Sequence, residues 1–161
     1  MPRPPALPRS VRPGDGVLTP WVPLCIALLV VNDHLLKESF PGMVTGKLSD
    51  LGGLAFFPVL LATAVELATG AVVRPRAAAA LVLLTGLVFA ATKTLPAAAA
   101  SYGHAIGLLQ WPLRALWHGG APFAAAPVVV DPTDLLALPA QWLPWVLLRR
   151  RARLSAAPLS T

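Results

Sequence analysis

The residues able to do chemistry in this chain are few and unevenly placed. The stretch Asn32 to Asp50, NDHLLKESFPGMVTGKLSD, holds Asp33, His34, Lys37, Glu38, Lys47 and Asp50 between two runs almost free of charge. Farther along, Lys93 closes an apolar run, and Asp131 and Asp134 stand three positions apart in VVVDPTDLL. A carboxylate such as Asp50 or Asp134 can serve as a general base, and His34 beside Asp33 can do so near neutral pH. Lys47 and Lys93 can hold an anionic phosphate. Asp33, His34, Asp50 and Asp134 are therefore the candidate catalytic residues, with Lys47 and Lys93 as candidate substrate-binding residues.

Each has a plainer reading. Ser49 or Asp50 can cap a helix that starts at GKLSD, where a carboxylate also gains from the helix dipole. Lys93 can snorkel to headgroups instead of finding a partner inside. Asp131 before Pro132, with Thr133 or Asp134 as a cap, is ordinary helix-start grammar, although two carboxylates three residues apart can also hold a divalent cation. The chain lacks a Gly-rich phosphate loop, a His-x-x-x-His or Cys pair and a Gly-x-Ser-x-Gly elbow, so no metal centre or cofactor is expected.

Composition defines what must position these groups. Hydrophobic residues make up 56% of the 161 positions, charged residues only 12%, and the mean hydropathy is +0.68. Soluble domains are about 45–50% apolar and about 25% charged, so a membrane protein is expected. Cys25, the single cysteine, stands in an apolar run and excludes an internal disulfide. The heavy use of Ala, Pro, Gly and Arg points to a GC-rich bacterial genome.

Four spans are expected, at about residues 17–33, 50–73, 77–94 and 133–149. Residues 1–16 read as a disordered basic tail, 17–150 as a single transmembrane helical domain, and 151–161 as a basic flexible tail. No small-x-small cleavage triplet follows Val31, so the first span is expected to be retained. With four spans, Arg3, Arg9, Arg12, Arg74, Arg76, Arg149, Arg150, Arg151 and Arg153 share one side. Lys37, Lys47, Lys93 and Arg114 share the other. Nine of thirteen basic residues on one side is the positive-inside pattern, with both termini cytoplasmic in a plasma (inner) membrane. A fifth span at Pro96 to Trp117 would export the carboxyl-terminal arginines. That segment is therefore expected to lie in or dip into the outer interface, with Trp111 and Trp117 as anchors. Trp142 and Trp145 are expected to anchor the last span. The fold class is all-α, a four-span bundle with an extra interfacial helix on the outer side.

In this topology Asp33, His34, Lys47, Asp50, Lys93, Asp131 and Asp134 come to the outer face, and one connected cluster of Lys47, Asp50, Lys93 and Asp134 is expected, through pairs such as Lys47–Asp134 or Lys93–Asp50. Glu66, inside the second span near its basic end, is expected to pair with Arg74 or Arg76 or to reach the interface. Gly52 and Gly53 are both expected to face another helix, because glycine lets helices approach closely in membranes.

At NDHLLK, FPGMVTGKLSDLGGLAFFPVLL and DPTDLLALPA the sequence resembles a group of uncharacterised multipass bacterial membrane proteins in which a Thr-Gly-Lys-Leu-Ser-Asp element opens a span. It is also similar in layout to the VanZ-like family, with Lys47 and Asp134 at matching places. Gly46, Asp50 and Leu138 stand where that pattern has Asp, His and Asn. These resemblances imply a multipass membrane protein and bring no reaction with them.

The leading expectation is a small envelope membrane protein of undefined biochemical role, with an outward polar cluster and membrane lipids as partners. An enzyme acting on lipid-linked or anionic headgroup substrates is the alternative, and a transporter subunit the third. The sequence does not decide whether the chain is an enzyme. Nucleic acid is not an expected partner, because the positive charge gathers near the termini.

Overall fold

The computed structural model describes residues 11–36, 39, 42–117 and 119–156. Among them the chain is all-helical, with no strand. Its α-helices are α1 (Trp21–Val31), α2 (Met43–Thr69), α3 (Pro75–Thr94), α4 (Pro96–Trp117) and α5 (Trp142–Ala156). A 3-10 turn at Asp15–Leu18 precedes α1, a π turn at Asn32–Leu36 follows it, and a 3-10 helix at Pro132–Gln141 leads into α5.

Two of these helices, α2 over Thr45–Thr69 and α3 over Pro75–Thr94, are long and apolar enough to cross a membrane. At 1.5 Å per residue, 20 residues cover about 30 Å, the thickness of a hydrocarbon layer. The other two expected spans take different forms. The first, expected at 17–33, has only the 11 residues of α1 in α-helix, flanked by tighter and wider turns. The fourth, expected at 133–149, changes from 3-10 to α-helix between Gln141 and Trp142, with Pro139 inside the 3-10 part. Proline has no N–H and blocks a regular α-helix there. The Pro96 to Trp117 segment is a continuous helix at the expected bounds.

Helix α2 begins at Met43, ahead of the expected start at residue 50. Gly46, Lys47, Ser49 and Asp50 therefore lie inside it, and its N-cap is Gly42 without a side-chain bond. The capping roles expected of Ser49 and Asp50 do not apply. Gly70, at φ 67°, ends the helix in the left-handed region where glycine alone is unstrained.

The chain divides into two compact units. One runs to Thr85 and resumes at Leu138; the other is Gly86–Ala137. In the first, α2 is central, and α1, the Asp15–Leu18 turn and α5 pack on it. Its core is Val22, Val59, Ala62, Val73, Ala78, Val82 and Leu148. Gln141 donates through Nε2 to the Val82 carbonyl at 3.0 Å, fixing the start of α5 against α3. The folded part extends past both expected domain limits: Asp15 lies in the first turn, and α5 continues through Arg151 to Ala156.

In the second unit an extended segment after Gly120 lies along α4. The Ala126 amide donates to the Gly103 carbonyl at 2.9 Å. A Cβ on Gly103 would meet the Ala126 oxygen at 2.5 Å, and one on Gly107 would meet the Ala124 oxygen at 2.5 Å. These two glycines, one helical turn apart, form the bed on which that backbone rests. Trp111 Nε1 donates to the Ala121 carbonyl at 3.0 Å, and the His104 and Phe123 rings lie 6.1 Å apart.

Candidate functional site

Among the described residues, three polar nodes hold the buried charged groups and the buried Asn32. The first is Lys93 and Asp134, both in the second unit. Lys93 Nζ donates to Asp134 Oδ2 at 2.7 Å, with side chains 14% and 11% exposed. The ammonium also stands 5.5 Å from the centre of the Phe89 ring, a cation–π distance. Lys93 thus has the carboxylate partner expected of a charge at the end of an apolar helix, and the partner is Asp134. Asp131 takes the capping task. Its Oδ1 accepts from the Thr133 amide at 2.9 Å and from Thr133 Oγ1 at 2.7 Å, and its carbonyl accepts from the Asp134 amide at 3.0 Å. This side-chain turn starts the 3-10 helix and aims Asp134 at Lys93. The cap expected at Thr133 or Asp134 is therefore supplied by Asp131, two or three positions earlier.

The second node joins α1 to α2. Asn32 is fully buried and donates through Nδ2 to the Thr45 carbonyl and to Ser49 Oγ, each at 2.6 Å. Thr45 and Ser49 are four apart and share a helix face. The Thr45 carbonyl and the Ser49 hydroxyl on that face serve the α1–α2 contact, while the Thr45 hydroxyl donates to the Gly42 carbonyl at 2.9 Å. Gly52 continues the contact one turn on, where an added Cβ would come within 3.1 Å of Leu29. Gly53 differs from expectation, since a Cβ there meets nothing within 4 Å. Lys47 and Asp50, three apart on α2, belong to this first unit with Asn32. Asp33 lies in the π turn beside His34; their side chains, and Lys37, Glu38 and His118 altogether, fall outside the described residues.

The third node was not expected in this form. Glu66, 1% exposed, accepts at Oε2 from Arg151 Nη2 at 2.8 Å and from the Gly14 amide at 2.8 Å. Its Oε1 accepts from the Val73 amide at 3.3 Å. Arg151 also pairs with Asp15 through Nη1 and donates to the Arg12 carbonyl through Nη2 at 3.2 Å. Gly16 lies against the guanidinium, where an added Cβ would meet its Cζ and Nε at 3.3 Å. Arginine stays protonated at any ordinary pH, so Arg151 enters this node as a cation. The partner of Glu66 is thus Arg151, and neither Arg74 nor Arg76. A single buried acid in an apolar run required a buried cation; the arginine run of residues 149–153 was the unused source.

What this arrangement does chemically is neutralise charge. Two of the nodes set cations against carboxylates, and the other engages the Asn32 amide nitrogen but leaves its buried Oδ1 without a donor; among the described residues no group of three His, Cys, Asp or Glu side chains gathers as metal ligands would. No family model matches the chain, and neither a curated protein nor a solved structure matches it.

Proposed function

We propose that this chain is a multipass integral protein of a bacterial inner membrane, built as a structural or interaction component of the envelope. The observation that carries the reading is the outer surface of the two long helices. Leu60 and Leu67 on α2, and Leu83, Leu84 and Leu87 on α3, are all exposed, while the charged groups Glu66, Arg151, Lys93 and Asp134 are turned inward. That is the inverse of a soluble surface and suits a hydrocarbon solvent. Arg74 and Arg76 flank the start of α3, and Lys93 is in its last turn. This spacing supports a crossing with the arginine end cytoplasmic.

In the full reading, α1 with its flanking turns and the Pro132–Gln141 helix with α5 supply the two further spans. Helix α4 lies in the outer interface, its Trp117 85% exposed. The enzyme alternative would use Asp50 or Asp134 as a base and Lys47 and Lys93 on an anionic headgroup. The 2.7 Å Lys93–Asp134 pair speaks against it, because each group answers the other's charge. The test is extraction. Membranes from cells expressing the chain are washed with alkaline carbonate and with urea; the protein stays in the pellet and leaves only with detergent. Release by either wash overturns the reading.

A further inference from the structure

The arginines of α5 are not equivalent. Arg151 is committed to the interior through Glu66 and Asp15. Arg150, its neighbour, is exposed, and its guanidinium has no carboxylate partner among the described residues. Beside it a recess of about 650 Å³ opens between the first 3-10 turn and α5. Leu18, Pro20 and Leu147 give the recess an apolar wall, and Arg150 stands at its polar side, with Arg151 and Asp15 locked together behind. Leu18 is a large aliphatic group and is 77% exposed.

The recess lies where α5 changes from the apolar Trp142–Leu148 part to the arginine run. A phosphate beside hydrocarbon matches a cation beside exposed leucines. Of the residues that line the recess, Arg150 and Arg151 are cationic and Asp15 alone is anionic, so the lining carries a net positive charge. We propose that this recess seats the headgroup of an anionic phospholipid, with its phosphate on Arg150 and its first acyl carbons against Leu18 and Leu147. The proposal rests on the membrane reading and adds to it a defined seat. Guanidinium binds phosphate through two parallel N–H donors, and the net charge of the rim selects an anionic lipid over a zwitterionic one.

The test uses the full chain in a neutral detergent, titrated with short-chain phosphatidylglycerol, short-chain phosphatidylcholine or inorganic phosphate, and read by the midpoint of thermal unfolding. Phosphatidylglycerol should raise the midpoint saturably, and the other two should not at equal concentration. Arg150→Gln should weaken the phosphatidylglycerol response roughly tenfold. Arg149→Gln, which removes a guanidinium held over the Trp145 ring outside the recess, should change it less than about twofold. Leu18→Asn, at an exposed position that the fold tolerates, should also weaken it and so gives an independent reading if Arg150→Gln folds poorly. Equal responses to the two lipids, or equal losses from the two arginine variants, overturn the seat in favour of diffuse charge. A response to inorganic phosphate as strong as to phosphatidylglycerol overturns the lipid assignment. Failure of the membrane reading itself would show separately, as a chain that stays monodisperse without detergent.

Discussion

Glu66 Oε2 and Arg151 Nη2 are 2.8 Å apart, although 85 positions separate them in the chain. Their contact closes α2 onto α5, and the two residues also hold the loop at Val73 and the segment from Arg12 to Asp15. One buried pair thus gathers four separate pieces of backbone.

Breaking that pair from one side should be severe. Arg151→Met leaves Glu66 buried without a counterion, at about 3–5 kcal/mol, and Glu66→Gln, which leaves Arg151 with Asp15 alone, should cost less. Changing both together should cost less than the sum of the single losses. Denaturant unfolding in detergent of the two single variants and the double variant checks this, and additive losses would show that the charges do not depend on one another.

The Lys93–Asp134 pair should also show coupling. Lys93→Met and Asp134→Asn are each expected to destabilise, and a double-mutant cycle should return an interaction of about 1 kcal/mol or more. A coupling indistinguishable from zero would mean that water replaces either partner without loss.

The glycines of α2 and α4 should separate into two kinds. Gly107→Ala puts a Cβ 2.5 Å from the Ala124 oxygen and 2.9 Å from the Ala125 Cα, which is backbone and cannot swing aside, at about 1–3 kcal/mol. Gly53→Ala meets open space and should be neutral or stabilising by up to about 1 kcal/mol, since glycine lowers helix stability. Thermal unfolding of both variants side by side decides the matter.

Reporter fusions placed after Lys37 and after Arg153 should report opposite sides of the membrane, with the Arg153 fusion cytoplasmic. The basis is the proposed four-span topology, which would put nine of the thirteen basic residues on the side of the termini. A periplasmic carboxyl terminus would call for an odd number of crossings between an internal amino terminus and the end of α5.

Much of α2 and α3 was legible because an uninterrupted apolar run of that length has few other fates. The start of α2 was not, because Ser49 and Asp50 in GKLSD have the residue types of a helix cap. The Ser49 hydroxyl and the Thr45 carbonyl instead accept from Asn32, a tertiary fact. The need of Lys93 for a carboxylate could be read from its place at the end of an apolar run, while the choice of Asp134 depended on how Asp131 turns the chain. Glu66 was matched to Arg74 and Arg76 because they are near in sequence. A helix carries its side chains away from such neighbours as readily as toward them. The Gly103–Gly107 spacing was a visible signal of close packing, but what it packs against is a stretch without periodicity, which no pattern marks.

The distance between Glu66 and Arg151 along the chain also sets an order of events during synthesis. Glu66 leaves the ribosome 85 residues ahead of Arg151, roughly 4 to 17 seconds at ordinary elongation rates. For that interval the carboxylate at the end of an apolar helix must stay in water or carry a proton. In the proposed membrane setting, helix α2 would therefore reach its final depth only once α5 has been made, and a nascent chain stopped short of Arg151 would present quality-control proteases with an acid that has no counterion.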